Sequence, residues 1–243
     1  MKLLFIRHGE PDYETDSLTE KGIREAALLA KRIGRMHIDE CFVSPLGRAR
    51  LTAAPCLEAL DMQAVTYDWL REFDPRILRP DSHDRRRVTW DWLPEDWTKR
   101  EHFFRYDEWW NDDILKEASV KESAREVFDG IDSLLASHGY ERDNHFYRAV
   151  RPNNNTLALF CHFGVTALIL SHLIGASPMV LWHGMISAPT SVTTVYTEER
   201  RPGIASFRIT SFGDISHLYE ADEPPSFSGR FCECYTNEWE RRD

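Results

Sequence analysis

The sequence predicts an α/β fold, with three α/β/α layers around a mostly parallel sheet, in a single domain covering residues 1–243. Three observations point there. Short apolar runs at 3–6, 41–43, 64–70 and 157–160 alternate with helical patterns, as strand–helix units do. Several of these runs end directly in charged or glycine-containing turns, as strands do at the ligand-binding edge of an open sheet. No internal repeat or low-complexity linker divides the chain.

The first run leads into Arg7-His8-Gly9-Glu10, which delivers a cation, a titratable imidazole and a flexible turn to the carboxyl edge of the sheet. An arginine fork matches phosphate oxygens, and a neutral imidazole is a nucleophile near pH 7. Residues 19–33 read as a helix whose buried stripe is Ile23, Ala26, Ala27, Ala30 and Ile33. The second run leads into Ser44-Pro45-Leu46-Gly47-Arg48. Ser44 suits a helix cap and Pro45 the first helical position, which predicts a helix over 45–60 with Arg48 in its first turn, where anions bind. Pro55 is expected to kink or end that helix. The run 64–70 leads to Arg71-Glu72, with Glu10 and Asp74 as competing carboxylates.

Residues 79–118 break the alternation. They contain tryptophans 90, 92, 97, 109 and 110, five of the eight, together with Arg85-Arg86-Arg87. Ser119-Val120-Lys121-Glu122 reads as a capping box that opens a helix turning Val127, Ile131, Leu134 and Leu135 inward. The run 157–160 leads to Cys161-His162-Phe163-Gly164 and a helical stretch over 165–173. No motif assigns a role to 181–184 or 187–190, which follow it. The β-rich runs 191–197 and 205–210 predict a late hairpin. Residues 214–243 look irregular, but Tyr219, Phe227, Phe231, Tyr235 and Trp239 argue against full disorder and for packing along the domain or across a dimer interface. Two strand-end histidines (His8, His162), two arginines (Arg7, Arg48) and one carboxylate (Glu72) together make a coherent site for phosphoryl transfer. The plainer readings are a surface histidine, a helix-surface arginine, a common post-strand acid and a satisfied core histidine.

The segments Arg7-His8-Gly9-Glu10, Leu18-Thr19-Glu20-Lys21-Gly22, Ser44-Pro45-Leu46-Gly47-Arg48-Ala49, Leu70-Arg71-Glu72 and Cys161-His162-Phe163-Gly164 resemble, in order and spacing, the histidine phosphatase superfamily in its phosphoglycerate mutase-like branch. The resemblance implies His8 as the phosphorylated nucleophile, Arg7, Arg48 and His162 as the phosphate pocket, and Glu72 as proton donor. Gly9 and Phe163 then join Arg7, Arg48 and His162 as expected substrate-binding positions. By analogy with such proteins, 79–118 is expected to be a helical lid over the site, with Arg79, Arg85, Arg86 or Arg87 as candidates to contact substrate. Mutases of this branch carry Thr-Gly in the loop before the Leu-Thr-Glu-Lys-Gly segment, Asn two residues after the second histidine and Tyr three residues after the acid. Here residues 11–17 lack Thr-Gly, Gly164 replaces the Asn and Pro75 the Tyr. The expected activity is therefore that of a metal-independent, histidine acid phosphatase-like hydrolase of a small organic phosphate. A mutase and a non-catalytic phosphate-binding protein are the alternatives.

Composition is consistent with this expectation. Hydrophobic content of 42% and charged content of 29% suit a soluble globular domain. A formal net charge of −10 argues against nucleic acid and anionic membrane as partners, while clustered arginines can still focus potential on a phosphate. A small phosphorylated metabolite is the expected partner, a homodimer is left open, and neither metal nor cofactor is expected. The N-terminal apolar run is too short for a signal peptide. Five cysteines, at 41, 56, 161, 232 and 234, form no redox or metal motif, so a cytoplasmic location is expected, with Cys41, Cys56 and Cys161 as core residues.

Overall fold

The structure, a computed structural model, describes residues 1–82 and 84–230. The chain opens with β1 (Lys2–Arg7), the short pair β2 (Pro11–Asp12) and β3 (Ser17–Leu18), and α1 (Glu20–Ile33). There follow β4 (Glu40–Val43), α2 (Gly47–Leu60) and β5 (Ala64–Thr66). Next comes β6 (Arg76–Ile77), and the inserted stretch 79–118 holds β7 (Arg87–Val88), α3 (Pro94–Trp97) and α4 (Asp113–Glu117). The chain continues through α5 (Val120–Ser137), β8 (Tyr140–Asp143), β9 (Phe146–Ala149), β10 (Thr156–Cys161), α6 (Phe163–Ile174) and α7 (Pro178–Gly184). The hairpin β11 (Val192–Arg201) and β12 (Ile204–Asp214) and the single turn α8 (Ser216–Tyr219) complete the described elements.

Eight strands form one sheet in the order β5-β4-β10-β1-β11-β12-β9-β8. The β5-β4-β10-β1 half is parallel, and the late hairpin extends β1 antiparallel, as the sequence predicts. Strand residues alternate between two cores, because side chains point to opposite faces with period two. Leu3, Phe5, Leu157 and Leu159 pack with α5 and α6, whereas Leu4, Ile6, Ala158 and Phe160 pack with α1 and α2. Those faces are the outer layers. They also explain why β1 and β10 read as unbroken apolar runs.

Several local expectations change. In α1, Ile23 is 59% exposed and Ala27 is also exposed, while Glu25 is fully buried. Gly22 lies against the backbone of Glu10, and that contact sets the rotation of the helix, so Ala26, Leu29, Ala30 and Ile33 face the sheet. Helix α2 starts at Gly47, not Pro45, and Leu46 rather than Ser44 is its cap residue. It also runs through Pro55 to Leu60. Pro55 takes the amide partner from the carbonyl of Leu51, a residue on the solvent side where water can replace it. Ser119 has a left-handed backbone and makes no capping bond, so the capping box does not form. The inward face of α5 is as expected, with Val127, Ile131, Leu134 and Leu135 buried.

In the inserted stretch, Trp92, Phe103, Trp109 and Leu115 are buried in the α5/α6 core. Trp109 meets Trp182 of α7 edge-on at 5.5 Å. Arg79 is held by Asp81 (2.7 Å) and Asp91 (2.6 Å), so its fork is committed within the stretch. Beyond β12 the chain runs along α1. Arg32 pairs with Asp214 at 2.8 Å, Arg24 with Glu223 at 3.4 Å, and Ser226 Oγ donates to Glu10 Oε2 at 2.5 Å. Phe231, Cys232, Cys234, Tyr235 and Trp239 lie outside the described residues. Cys41, Cys56 and Cys161 are buried thiols. Among the described residues, no helix is long and apolar enough to cross a membrane.

Candidate active site

Arg7 closes β1, His8 follows it, and His162 follows β10, the parallel neighbour of β1. Both histidines therefore leave the sheet at the same carboxyl edge, with ring centroids 5.0 Å apart. The four side chains of Arg7, His8, Arg48 and His162 are buried.

His8 Nδ1 lies 2.7 Å from the carbonyl oxygen of Gly9. A carbonyl only accepts, so Nδ1 carries the proton and Nε2 is the lone-pair nitrogen. Burial, then the charge of Arg7, holds the His8 pKa well below its usual value, so the ring is neutral near pH 7. His8 is also pinned through its backbone: its N–H donates to Cys161 O and its carbonyl accepts from Thr190 N–H, both at 3.1 Å. The amide of Gly9 donates to Thr52 Oγ1 at 2.9 Å.

His162 Nε2 is 2.8 Å from Ser44 Oγ, while its Nδ1 is buried without a partner. Ser44, expected to cap a helix, thus orients a histidine. Burial and the neighbouring His8, Arg48 and Arg7 hold the His162 pKa well below its usual value. His162 is also the first non-helical residue before α6, so the positive end of that helix opens beside it. Phe163 is buried and meets Trp90 edge-on at 5.9 Å.

Arg48 sits in the first turn of α2, as expected. Its Nη1 pairs with Asp16 Oδ1 at 2.5 Å, and Asp16 Oδ2 accepts from Gly47 N–H at 2.6 Å. One carboxylate therefore orients the arginine and occupies the helix terminus. No sequence motif marks Asp16, because only the folding of the β2–β3 turn brings it there. Arg7 donates from Nη1 to Ser187 O and leaves Nε without a partner. Gly229 lies against the same guanidinium, where a Cβ would collide with it. The C-terminal stretch thus reaches the site itself.

Glu72 Oε1 accepts from Phe73 N–H (2.8 Å) and Val165 N–H (3.0 Å), leaving Oε2 as the oxygen able to carry a proton. Burial pushes its pKa up, against the pull of the two amides and of Arg7 and Arg48. The rival acids face elsewhere. Glu10 binds Thr19 Oγ1 at 2.8 Å and Ser226, and Asp74 is exposed. At Gly164 a Cβ would lie 2.7 Å from Glu72 Oε1 and 2.6 Å from Trp90 Nε1. Trp90, in the inserted stretch and placed by a hydrogen bond to Phe73 O at 2.9 Å, thus flanks Gly164 together with Glu72. The Trp-rich composition marked the stretch, but not this position within it. Among the described residues, no group of three or more His, Cys, Asp or Glu is arranged to hold a metal.

A family model described as the histidine phosphatase superfamily (branch 1) matches residues 3–210. The chain is 27% identical over 222 residues to phosphoserine phosphatase 1 of Hydrogenobacter thermophilus, covering 86% of this chain and 93% of that protein. It is 34% identical over 87 residues to a probable phosphoglycerate mutase of Yersinia pestis, covering 32% of this chain and 40% of that one. Its fold is similar to that of phosphoserine phosphatase from Entamoeba histolytica, solved in complex with 3-phosphoglyceric acid, with a TM-score of 0.57 at 19% identity over 89% of this chain and 98% of that one.

Proposed function

The chain belongs to the histidine phosphatase superfamily, branch 1, and from that premise we propose that it hydrolyses a small organic phosphomonoester through a phosphohistidine on His8. The observation that carries this reading is the state of His8. Its proton is fixed on Nδ1 by the Gly9 carbonyl, so a neutral Nε2 is left beside two arginines and an acid of raised pKa.

Arg7 and Arg48 neutralise the phosphate oxygens and supply the charge that phosphoryl transfer demands. His162, neutral in the free site, adds a hydrogen bond through the buried Nδ1 and gains basicity once a dianion binds. His8 Nε2 attacks phosphorus in line as the bond to the leaving oxygen breaks, and the Nδ1–H bond to Gly9 stabilises the charge on the ring. Glu72 gives its proton to the departing alkoxide. The ionised Glu72 then takes a proton from water attacking the phosphohistidine, the P–N bond breaks, and inorganic phosphate, His8 and protonated Glu72 are regenerated.

Hydrolysis is favoured over mutase chemistry by the wall at Gly164. The branch's mutases carry Asn there, and even a Cβ has no room between Glu72 and Trp90. The names of the relatives put O-phosphoserine and 3-phosphoglycerate on the substrate panel beside p-nitrophenyl phosphate and sugar phosphates. The test compares wild type with His8→Ala in phosphate release and in trapping of an acid-labile, base-stable phosphoprotein. Release and trapping that both vanish in the variant support the reading; equal release by the two proteins refutes it.

A further inference from the structure

The turn at residues 188–191 is built against its own sequence. Ser191 N–H donates to Ala188 O at 3.1 Å, closing a β-turn with Pro189 at its second position and Thr190 at its third. Thr190 has φ +58°. With proline ahead of it this is the type II pattern, whose third position calls for glycine or asparagine, and a β-branched residue there is strained. Thr190 is fully buried, so the surroundings must hold it.

The turn is joined to the reactive residues at two points, and the residue before it at a third. Thr190 N–H donates to the carbonyl of His8 and Ser191 O accepts from Arg7 N–H, both at 3.1 Å, while Ser187 O accepts from the Arg7 guanidinium. The side chain of Thr190 is held from elsewhere. Its Oγ1 donates its one hydrogen to Pro189 O at 2.7 Å. His217 Nε2, on α8, lies 3.0 Å from the same oxygen. The hydroxyl hydrogen is already used, so His217 Nε2–H is the donor and His217 Nδ1 is the unprotonated nitrogen, buried without a partner. Burial holds the His217 pKa down to about 4, which keeps this neutral tautomer. The buried Leu218 anchors α8, and just before the helix the Arg32–Asp214 pair ties the end of β12 to α1.

We propose that His217 is a positioning residue: through its hydrogen bond to Thr190 it keeps the 188–191 turn in its strained form, and that form holds His8 and Arg7 in line for attack. This assigns a role in the reaction to the C-terminal stretch, and it rests on the reading of His8 as nucleophile.

The test uses the full-length chain with His217→Ala, Thr190→Val, the double variant and Thr190→Gly in the His217→Ala background. The single-turnover rate of His8 phosphorylation is expected to fall about 10-fold in each single variant at unchanged KM, because a small misplacement of a nucleophile costs rate more than binding. The double variant should fall no further than either single. Glycine at 190 adopts the left-handed conformation unaided, so Thr190→Gly is expected to restore the rate of His217→Ala to within about 3-fold of wild type. Losses that multiply, or a glycine that rescues nothing, would overturn the proposal. So would variants that melt earlier but phosphorylate His8 at the wild-type rate. The 15N-edited signal of the His8 ring is read in parallel, since it needs no turnover. A His8 Nδ1 signal that moves in His217→Ala and returns with Thr190→Gly supports the positioning role, and an unmoved signal refutes it. Absence of phosphate release by wild type beside a responsive His8 signal would instead sink the phosphatase reading.

Discussion

Glu25 is a buried carboxyl group that makes no ion pair within 4 Å among the described residues. It is fully inaccessible on α1, its Oε2 accepts from Glu10 N–H at 2.8 Å, and its Oε1 has no hydrogen-bond partner. Burial raises its pKa from 4.5 to about 7, with Glu10 and Glu223 adding to the rise and Lys21 opposing it. A carboxyl whose folded pKa lies above its unfolded value binds its proton more tightly when folded. Stability is therefore lost as pH rises from about 4.5 to about 7 and stays lower above that. At about 1.4 kcal/mol per pKa unit the full shift corresponds to ~3 kcal/mol, most of it falling between pH 5 and pH 8. Glu25→Gln keeps an acceptor for Glu10 N–H and removes the charge. The variant is expected to lie near wild type at pH 5 and to be more stable by about 2–3 kcal/mol at pH 8, as measured by urea unfolding at both pH values. Comparing the gap between the two proteins cancels every other titrating group. A gap that is the same at pH 5 and pH 8 would refute the assignment of a raised pKa to this side chain.

Two further outcomes concern the site and a third the inserted stretch. Glu72→Gln should lower kcat by ~10²–10⁴-fold on alkyl phosphates and abolish the decline of kcat/KM at high pH, yet retain a burst of p-nitrophenol from p-nitrophenyl phosphate, whose leaving group needs no proton. An equal loss of the first step on both substrates would count against Glu72 as the acid. Gly164→Ala forces a methyl between Glu72 and Trp90, with an expected stability cost of ~1–3 kcal/mol by thermal unfolding and a lower kcat; a variant indistinguishable from wild type would show that the wall yields. Arg79→Ala removes the hydrogen-bonded cation from Asp81 and leaves Asp91 with Arg87 alone, at 3.9 Å, and about 2–3 kcal/mol of stability should be lost in urea unfolding. KM for p-nitrophenyl phosphate should stay within about 2-fold if Arg79 holds the inserted stretch and does not grip substrate.

The sequence by itself determined the central strands and the late hairpin, the order of the reactive residues and the edge at which they meet; the β8–β9 pair, with its short, partly polar strands, carried no such signal. Apolar runs buried on both faces can only be central strands, and a parallel β1–β10 pair necessarily brings the residues after each strand, His8 and His162, to one side of the sheet. Tertiary structure decided which groups finish the site. Ser44 reads locally as a cap and becomes the partner of His162 because α2 starts three residues later, at Gly47. Ile23 reads as core and faces solvent because Gly22 packs on Glu10 and turns the helix. Asp16, Trp90, Thr190 and His217 carry no local signature, since each acts through a contact made across the fold: Asp16 on Arg48, Trp90 beside Glu72, and His217 on Thr190. Period and motif report what neighbours in the chain share. The proton on His8, the raised pKa of Glu72 and the strain at Thr190 depend on burial and on partners brought from distant parts of the chain, and those exist only once the chain has folded.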